Sequence, residues 1–331
     1  MNRIVAAQEP ATPIAGPLDA SEAATIPAPA TPAKARIEGK PETPWQQAGR
    51  DFVANPFAIV GAVLLSLLLL AAIFAESLAP TNPYDLTKLD LMDALQLPGS
   101  QNIDGSVTFL LGTDGQGRDM LSAMLYGLRT SILVGVMSGV LALGFGTMVG
   151  IVAAYFGGWV DSMVMRIVDL QLSFPSILVA MVLLAVLGQG VDKIILALVI
   201  VQWAYYARTV RSAALVERSK EYVEAAICLG IGKGPVMFRH MMRNCFPPLI
   251  VVATVQVGSA ISLEATLSFL GLGLPVTKPS LGLLISNGFA FLMSGKYWIS
   301  LYPGVLLLLT IVAINLVGDH LRDILNPRLK R

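Results

Sequence analysis

The sequence predicts an all-α membrane protein with six transmembrane helices, on three observations. Only 14% of its 331 residues are charged, whereas soluble domains carry roughly 25%. Its mean hydropathy is +0.68. Its apolar residues fall into six segments, which suit membrane helices of about 20 mostly apolar residues. The net charge of +1 provides no basic field for nucleic acid, so we expect no nucleic-acid partner.

The six predicted spans follow one another between residues 56 and 317. The first, PFAIVGAVLLSLLLLAAIFA, is an uninterrupted apolar run, and the fourth continues as a helix past the membrane surface. The third contains Pro175, which should kink or reset the helix because proline cannot donate a backbone hydrogen bond. The predicted bounds are 56–75, 131–155, 167–187, 194–207, 247–270 and 298–317.

The spans divide the chain into three predicted regions. Residues 1–45 are an Ala/Pro-rich cytoplasmic tail that cannot bury enough apolar surface to offset its chain entropy, so we expect disorder. Residues 46–127 comprise the first span and a large, acidic extracytoplasmic loop. Residues 128–331 form a five-helix core that includes a cytoplasmic loop at about 217–244.

The end of the extracytoplasmic loop predicts a separate surface helix. From Asp119, apolar residues recur at helical spacing, which favours an amphipathic helix lying on the outer surface. These residues are Met120, Leu121, Met124, Leu125 and Leu128.

Basic residues indicate the orientation of the spans. Cytoplasmic loops carry an excess of lysine and arginine, and here both termini and the loop between the fourth and fifth spans are basic. The sequence therefore predicts that both termini are cytoplasmic. The basic residues of that loop are Arg208, Arg211, Arg218, Lys220, Lys233, Arg239 and Arg243.

The segment EYVEAAICLGIGKGPVMFRHMMRN in this loop predicts a helix–turn–helix elbow outside the membrane. Ser219 is placed to cap a short helix, Gly230 to stop it, and Pro235 to begin a second helix. The small side chains of Ala225 and Ala226 would let another surface approach closely.

The elbow has two other interpretations besides contact with the surface of a partner. Its glycines suggest a phosphate-binding loop, but that motif needs G-x-x-x-x-G-K-[ST] after a strand. Here Gly234 follows Lys233 and no strand precedes it. A solvated loop whose arginines only fix the topology stays open as an alternative.

Polar groups inside the spans are candidates for a translocation pathway. Glu264 lies deep in the predicted fifth span, where an ionisable side chain is costly and indicates function by default. Gln256 lies eight residues earlier on the same helix face. Glu264 could instead complete a hydrogen-bond network between helices. In the third span we expect Arg166 and Asp169 to pair on one face. The two histidines give neither a metal spacing nor a catalytic constellation.

Several motifs resemble one family of transporters. Glu224-Ala225-Ala226, followed by Gly230, resembles the EAA signature of ABC importer membrane subunits. LLGTDGQGRDMLSAMLYGLRTSILVG and NPFAIVGAVLLSLLLLAAIFAESLAP are similar to segments of dipeptide, oligopeptide and nickel importer permeases. LEATLSFLGLGLP and GDHLRDILNPRLK match the C-type subunit of those systems. Together the matches cover about residues 45 to 331.

The resemblance implies a type I ABC importer permease in the bacterial inner membrane, forming half of a translocation pathway. Its expected partners are a B-type permease subunit, two cytoplasmic ATPases, an extracytoplasmic substrate-binding protein and membrane lipids. ATP and magnesium would bind the ATPases, so this chain would be a non-catalytic subunit without a cofactor. The residues expected to couple it to the ATPases are Tyr222, Glu224, Ala225, Ala226 and Gly230.

The sequence departs from the family pattern EAA-x3-G-x9-I-x-L-P at its end, where His240, Met242 and Arg243 replace Ile, Leu and Pro. The expected solute is a di- or oligopeptide or a related small molecule, and glutathione, opines and nickel chelates stay open. The alternative is a self-sufficient secondary transporter or channel. That class usually places several charges or broken helices at the midplane of its own bundle. Here the charge expected at the midplane is nearly limited to Glu264.

Overall fold

Long helices make up most of the part of the chain that the computed structural model describes, residues 49–50, 52–85 and 90–325. The predicted disordered tail at residues 1–45 and the basic residues after 325 lie outside it. A small antiparallel hairpin in the first long loop joins β1 (Ser100–Gln101) to β2 (Thr108–Phe109). The helices used below are α1 (Pro56–Ile73), α2 (Ala75–Leu78), α3 (Met120–Phe156), α4 (Gly158–Ser173), α5 (Ser176–Leu187), α6 (Val191–Arg218), α7 (Glu221–Cys228), α8 (Lys233–Pro235), α9 (Met242–Phe269), α10 (Leu281–Phe289) and α11 (Trp298–Leu325).

The described ranges contain five helices that are long and apolar enough to cross a membrane, and a bent pair that can supply a sixth span. The five are α1, α3, α6, the continuous helix Lys233–Phe269 and α11, and the bent pair is α4 with α5. This confirms the predicted helical membrane fold with up to six spans. The helix of the fourth span is longer than the predicted span 194–207, because α6 continues to Arg218.

The third span differs from the prediction of one helix over 167–187. Helices α4 and α5 meet at an angle of 93°, and α5 has only 12 residues, or about 18 Å at 1.5 Å per residue. Phe174 between them has φ −94° and ψ 142°. A residue before proline is pushed into this extended region by the proline ring, so Pro175 breaks the helix here.

The amphipathic surface helix predicted from Asp119 is wrong, because these residues are the first turns of α3. Asp119 caps that helix, and its Oδ2 accepts a hydrogen bond from the Ser122 backbone at 2.8 Å. Met120 and Met124 are buried against Leu284 and Trp298. The apolar face is therefore covered by α10 and α11.

Close packing of α3 on α6 forms the centre of the fold. A Cβ atom at Gly150 would lie 3.0 Å from the Cα atom of Ala207, so glycine is needed where these two helices meet. The largest buried apolar cluster continues from this contact into the loop after α6. Its members include Ile151, Tyr206, Val210, Val223, Ala226, Met237, Met241 and Cys245.

A buried ion pair holds the loop that precedes α3. Arg118 is 0% exposed and donates from Nε to Oδ2 of Asp114 at 2.7 Å. Its Nη1 donates to the carbonyl of Val276 at 3.2 Å, and the Trp298 indole donates to the Thr113 carbonyl. These bonds fix the loop against the α9–α10 connection and the start of α11.

Candidate functional site

The predicted elbow is present within residues 217–244, which we name the coupling loop after its predicted role, and its first helix is α7. Ser219 does not cap this helix, because its hydroxyl donates back to the Val216 carbonyl and the N-cap position is Lys220. Gly230 ends the helix as predicted, with a φ of +74°. The amides of Gly230 and Ile231 donate to the carbonyls of Ile227 and Ala226, respectively. These are the two hydrogen bonds of a Schellman cap.

The two faces of α7 have different environments. Val223 and Ala226 are 0% and 5% exposed and pack inside the apolar cluster described above. Glu224 and Ala225 are exposed on the opposite side. Of the two alanines expected to admit a partner, Ala225 is accessible, whereas Ala226 contacts its own chain. Leu229, at the end of the helix, is 81% exposed.

Glu217 organises the base of the coupling loop. Its carboxylate accepts hydrogen bonds from Lys220 Nζ at 2.5 Å, Tyr222 Oη at 2.6 Å and Asn244 Nδ2 at 3.0 Å. Burial, followed by the hydrogen bond to Glu217, raises the pKa of Tyr222 to about 12. The hydroxyl therefore stays protonated and keeps donating to Glu217 at physiological pH.

The sequence reasoning missed Glu217 and Asn244, which are 27 residues apart. Glu217 precedes the segment EYVEAAICLGIGKGPVMFRHMMRN and Asn244 is its last residue, so no local spacing relates them. The only available signal was an acidic residue within a strongly basic loop. The structure shows that Tyr222, which was predicted, contacts both of them.

The second half of the coupling loop contains a π-helical turn. Residues Val236–Met241 adopt this geometry between α8 and α9, and π turns inside α-helices often occur at functional sites. His240 lies in the turn, and Met242 and Arg243 follow it directly. The departure from the family pattern thus coincides with a local change of helix geometry.

A polar groove runs along one side of α6 and α9. Its first part is a cavity of about 500 Å³. Gln202 is 2% exposed, and its Nε2 donates to the Gln256 carbonyl at 3.1 Å. Its Oε1 has no hydrogen-bond partner among the residues that the structure describes. The polar residues that line this part are Ser176, Gln202, Tyr205, Gln256, Ser259, Ser262, Thr266 and Asn315.

The groove continues toward the coupling loop. A second cavity, of about 1020 Å³, shares Tyr205 and Gln256 with the first and extends to Arg208, Asn244 and Arg322. Asn244 also donates to Glu217 and to the Tyr222 hydroxyl, each at 3.0 Å. One residue therefore touches both the groove and the base of α7.

The structure separates the two predicted pathway residues. Gln256 lines the groove, whereas Glu264 is 0% exposed. The Glu264 carboxylate accepts hydrogen bonds from Ser131 of α3 at 2.9 Å and from Ser268 at 2.7 Å. Ser131 in turn accepts from the Leu281 amide at the start of α10. Glu264 thus joins three helices of this chain, and its place in a pathway stays a prediction.

Helix α4 is tied to α6 by two ion pairs. Arg211 donates to both carboxylate oxygens of Asp161, at 2.5 and 2.6 Å. Asp169 pairs with Arg208 instead of the expected Arg166. In the described part of the chain, no three His, Cys, Asp or Glu side chains are grouped to hold a metal ion.

Comparisons with known proteins place this architecture in one family. Residues 146–331 match the family described as binding-protein-dependent transport system inner membrane component. Residues 43–98 match the N-terminal transmembrane domain of oligopeptide transport permease C.

Curated relatives align along nearly their whole length. The dipeptide transport system permease protein DppC of Escherichia coli K12 is 42% identical over 291 residues, covering 88% of this chain and 95% of that protein. DppC of Alkalihalophilus pseudofirmus is 36% identical, over 87% and 91% of the two chains. A di/tripeptide permease of Pseudomonas aeruginosa is also 36% identical, over 87% and 93%.

A solved structure shares the fold. An inward-facing form of the MetNI methionine ABC transporter superposes with a TM-score of 0.51 at 18% identity, covering 62% of this chain and 98% of that chain. From the family match, the long alignments and the membrane helices together, this chain belongs to the inner-membrane permeases of binding-protein-dependent ABC importers.

Proposed function

We propose that this chain forms half of the translocation pathway of an ATP-driven importer for dipeptides or short oligopeptides. The observation that carries the proposal is the bond network of Glu217, Tyr222 and Asn244, because it joins an exposed helix to a polar groove. Relatives named as dipeptide and di/tripeptide permeases support the choice of solute.

In this proposal the coupling loop docks on a cytoplasmic ATPase. The accessible surface of α7 offers Glu224, Ala225 and Leu229. Tyr222 and Gly230 act indirectly: Tyr222 bonds the helix to Glu217, and Gly230 ends it. Both termini are then cytoplasmic, in keeping with the basic residues on that side.

The other partners complete the pathway. A B-type permease would close the open side of the polar groove, and an extracytoplasmic binding protein would deliver the solute. ATP and magnesium would bind the two ATPases, so this chain catalyses no reaction. Asn244 would transmit the movement of α7 to the groove. The groove would then open alternately to the two sides of the membrane.

Glu224→Lys tests this coupling. We expect ATP-driven peptide uptake into proteoliposomes to fall at least about tenfold. An ATPase surface that is complementary to the negative charge of Glu224 would repel the positive charge of lysine. The ATPase rate should no longer respond to solute-loaded binding protein. Asp104→Lys makes the same charge change on the exposed loop before α3 and should leave uptake unchanged.

Two outcomes would contradict the proposal. Normal uptake by the Glu224→Lys importer would remove Glu224 from the docking surface. Peptide uptake by this chain without ATP or ATPase subunits would favour the self-sufficient transporter.

A further inference from the structure

A cavity separate from the polar groove lies near the start of α3, at the end of the membrane domain opposite the coupling loop. Its volume is about 610 Å³. Residues from the first long loop, from α3, from the start of α6 and from the α9–α10 connection line it. They are Tyr84, Tyr126, Arg129, Thr130, Leu133, Val191, Thr277 and Lys278.

Two cations face this cavity from different parts of the chain. Arg129 is exposed on α3, and Lys278 is exposed on the α9–α10 connection. The ion pairs of the described residues join other side chains, and neither of these two takes part. Glu76 is near enough to Tyr126 to interact with it electrostatically, but the lining itself has two cations and no carboxylate.

The position of Lys278 is fixed by the surrounding fold. Its amide donates to the Pro275 carbonyl at 2.9 Å, which forms a turn. The buried Arg118 donates to the next carbonyl in that turn, Val276, at 3.2 Å. The turn is thereby held against the start of α3, and the second cation lies in the same cavity as Arg129.

The cavity opens at the membrane interface. From Leu133 to Met148 the outward face of α3 exposes large apolar side chains over about 22 Å, most of a hydrocarbon core about 30 Å thick. Arg129 lies one turn before Leu133, at the end of this face. Tyr84 and Tyr126 stack edge to face, 5.1 Å apart, and tyrosines concentrate at membrane interfaces. The exposed residues of the face are Leu133, Val136, Met137, Val140, Leu141, Phe145 and Met148.

We propose that this cationic cavity binds the phosphate headgroup of an anionic phospholipid. The two cations and the hydroxyl of Thr277 would contact the phosphate, and Leu133 and Val191 would contact the first methylenes of the acyl chains. A binding protein is a less suitable occupant, because the cavity continues into the membrane-facing side of α3. The polar groove is lined by α5, α6, α9 and α11 and is a different site.

The test measures bound phosphatidylglycerol on the importer purified through a tag on the full chain. The complex is placed in nanodiscs of phosphatidylcholine with an equal amount of phosphatidylglycerol, and the retained lipid is counted by native mass spectrometry. A basic residue near an anionic surface contributes about 1 kcal/mol, or about fivefold in affinity. We therefore expect Arg129→Gln or Lys278→Gln to weaken binding about fivefold, and the double variant about 30-fold.

Matched variants separate charge from folding. Arg129→Lys with Lys278→Arg keeps both charges and should retain the lipid, while Lys296→Gln removes a cation that does not line the cavity and should also retain it. Inorganic phosphate added to the nanodiscs should not displace the lipid. Displacement would assign the site to free phosphate.

Two results would overturn the lipid proposal. One is equal phosphatidylglycerol retention by the double variant and the unmodified complex. The other is unchanged lipid retention with a weakened affinity for the binding protein, which would assign the two cations to that partner.

Discussion

At the residue scale, the coupling loop depends on one buried carboxylate. Glu217 is 8% exposed and receives three side-chain donors. Removing one donor leaves a buried charge less well satisfied, which costs more than an ordinary surface hydrogen bond. The EAA residues could be predicted from the sequence because they are consecutive. Glu217 and Asn244 could not, because only the fold of the intervening chain brings them together.

Tyr222→Phe tests this network. The variant removes the hydrogen bond to Glu217 and the one accepted from Asn244. This should destabilise the loop by about 1–2 kcal/mol and lower ATP-driven uptake severalfold without preventing assembly. Because the folded-state pKa of Tyr222 is raised to about 12, the bond's contribution is full below about pH 10 and is lost as the pH rises through 12. Uptake and thermal unfolding of the purified importer measure both effects. Tyr155→Phe, also half-buried, is the control, and equal behaviour of the two variants would show that the Tyr222 hydroxyl is dispensable.

At the element scale, proline and helix caps decide where the spans begin and end. The hydrophobic pattern predicted the cores of α1, α3, α6, α9 and α11, because membrane helices must satisfy their own backbone groups. The pattern was wrong about the start of α3, since apolar spacing alone does not distinguish a lipid-facing surface from one covered by α10 and α11. It also gave no measure of the bend at Pro175, whose size depends on how α4 docks on α6.

Pro175→Ala tests the cause of this bend. The variant restores a backbone donor and removes the ring that forces Phe174 into an extended conformation. Spin labels at Met163 on α4 and Val182 on α5, both exposed, should move from about 20 Å apart toward about 28 Å if the pair straightens. Pro275→Ala, in a turn outside both helices, should leave the distance unchanged. If the Pro175 variant keeps the short distance, the bend is held by contacts such as the Trp203 indole donating to Gln171.

At the scale of the whole molecule, the proposed function makes this chain one half of a larger assembly. The lining of its groove between Ser176 and Asn315 combines uncharged polar side chains with apolar ones, and the cations Arg208 and Arg322 join it near the coupling loop. Such a surface can hydrogen-bond to peptide amide groups without a fixed charge holding the solute in place. Gln256 was predicted as a pathway residue from its spacing to Glu264, and it lines the groove, whereas Glu264 does not. Gln202 was not predicted, because nothing in the pattern of α6 indicates which face lines a groove.

Gln202→Glu therefore tests whether the groove is the pathway. The variant places a carboxylate at a position only 2% exposed, and a charge inside a membrane costs about 2.5–3.5 kcal/mol. We expect ATP-driven dipeptide uptake to fall at least about tenfold, while the importer still assembles and hydrolyses ATP in detergent. Gln189→Glu makes the same chemical change at an exposed residue before α6 and should have little effect. Normal uptake by an assembled Gln202→Glu importer would show that the solute crosses elsewhere. A Gln202→Leu variant removes the unpartnered oxygen and the hydrogen bond to the Gln256 carbonyl without adding a charge. If uptake falls as strongly with Leu as with Glu, the lost hydrogen bond explains the effect. If only the Glu variant is impaired, the added charge explains it.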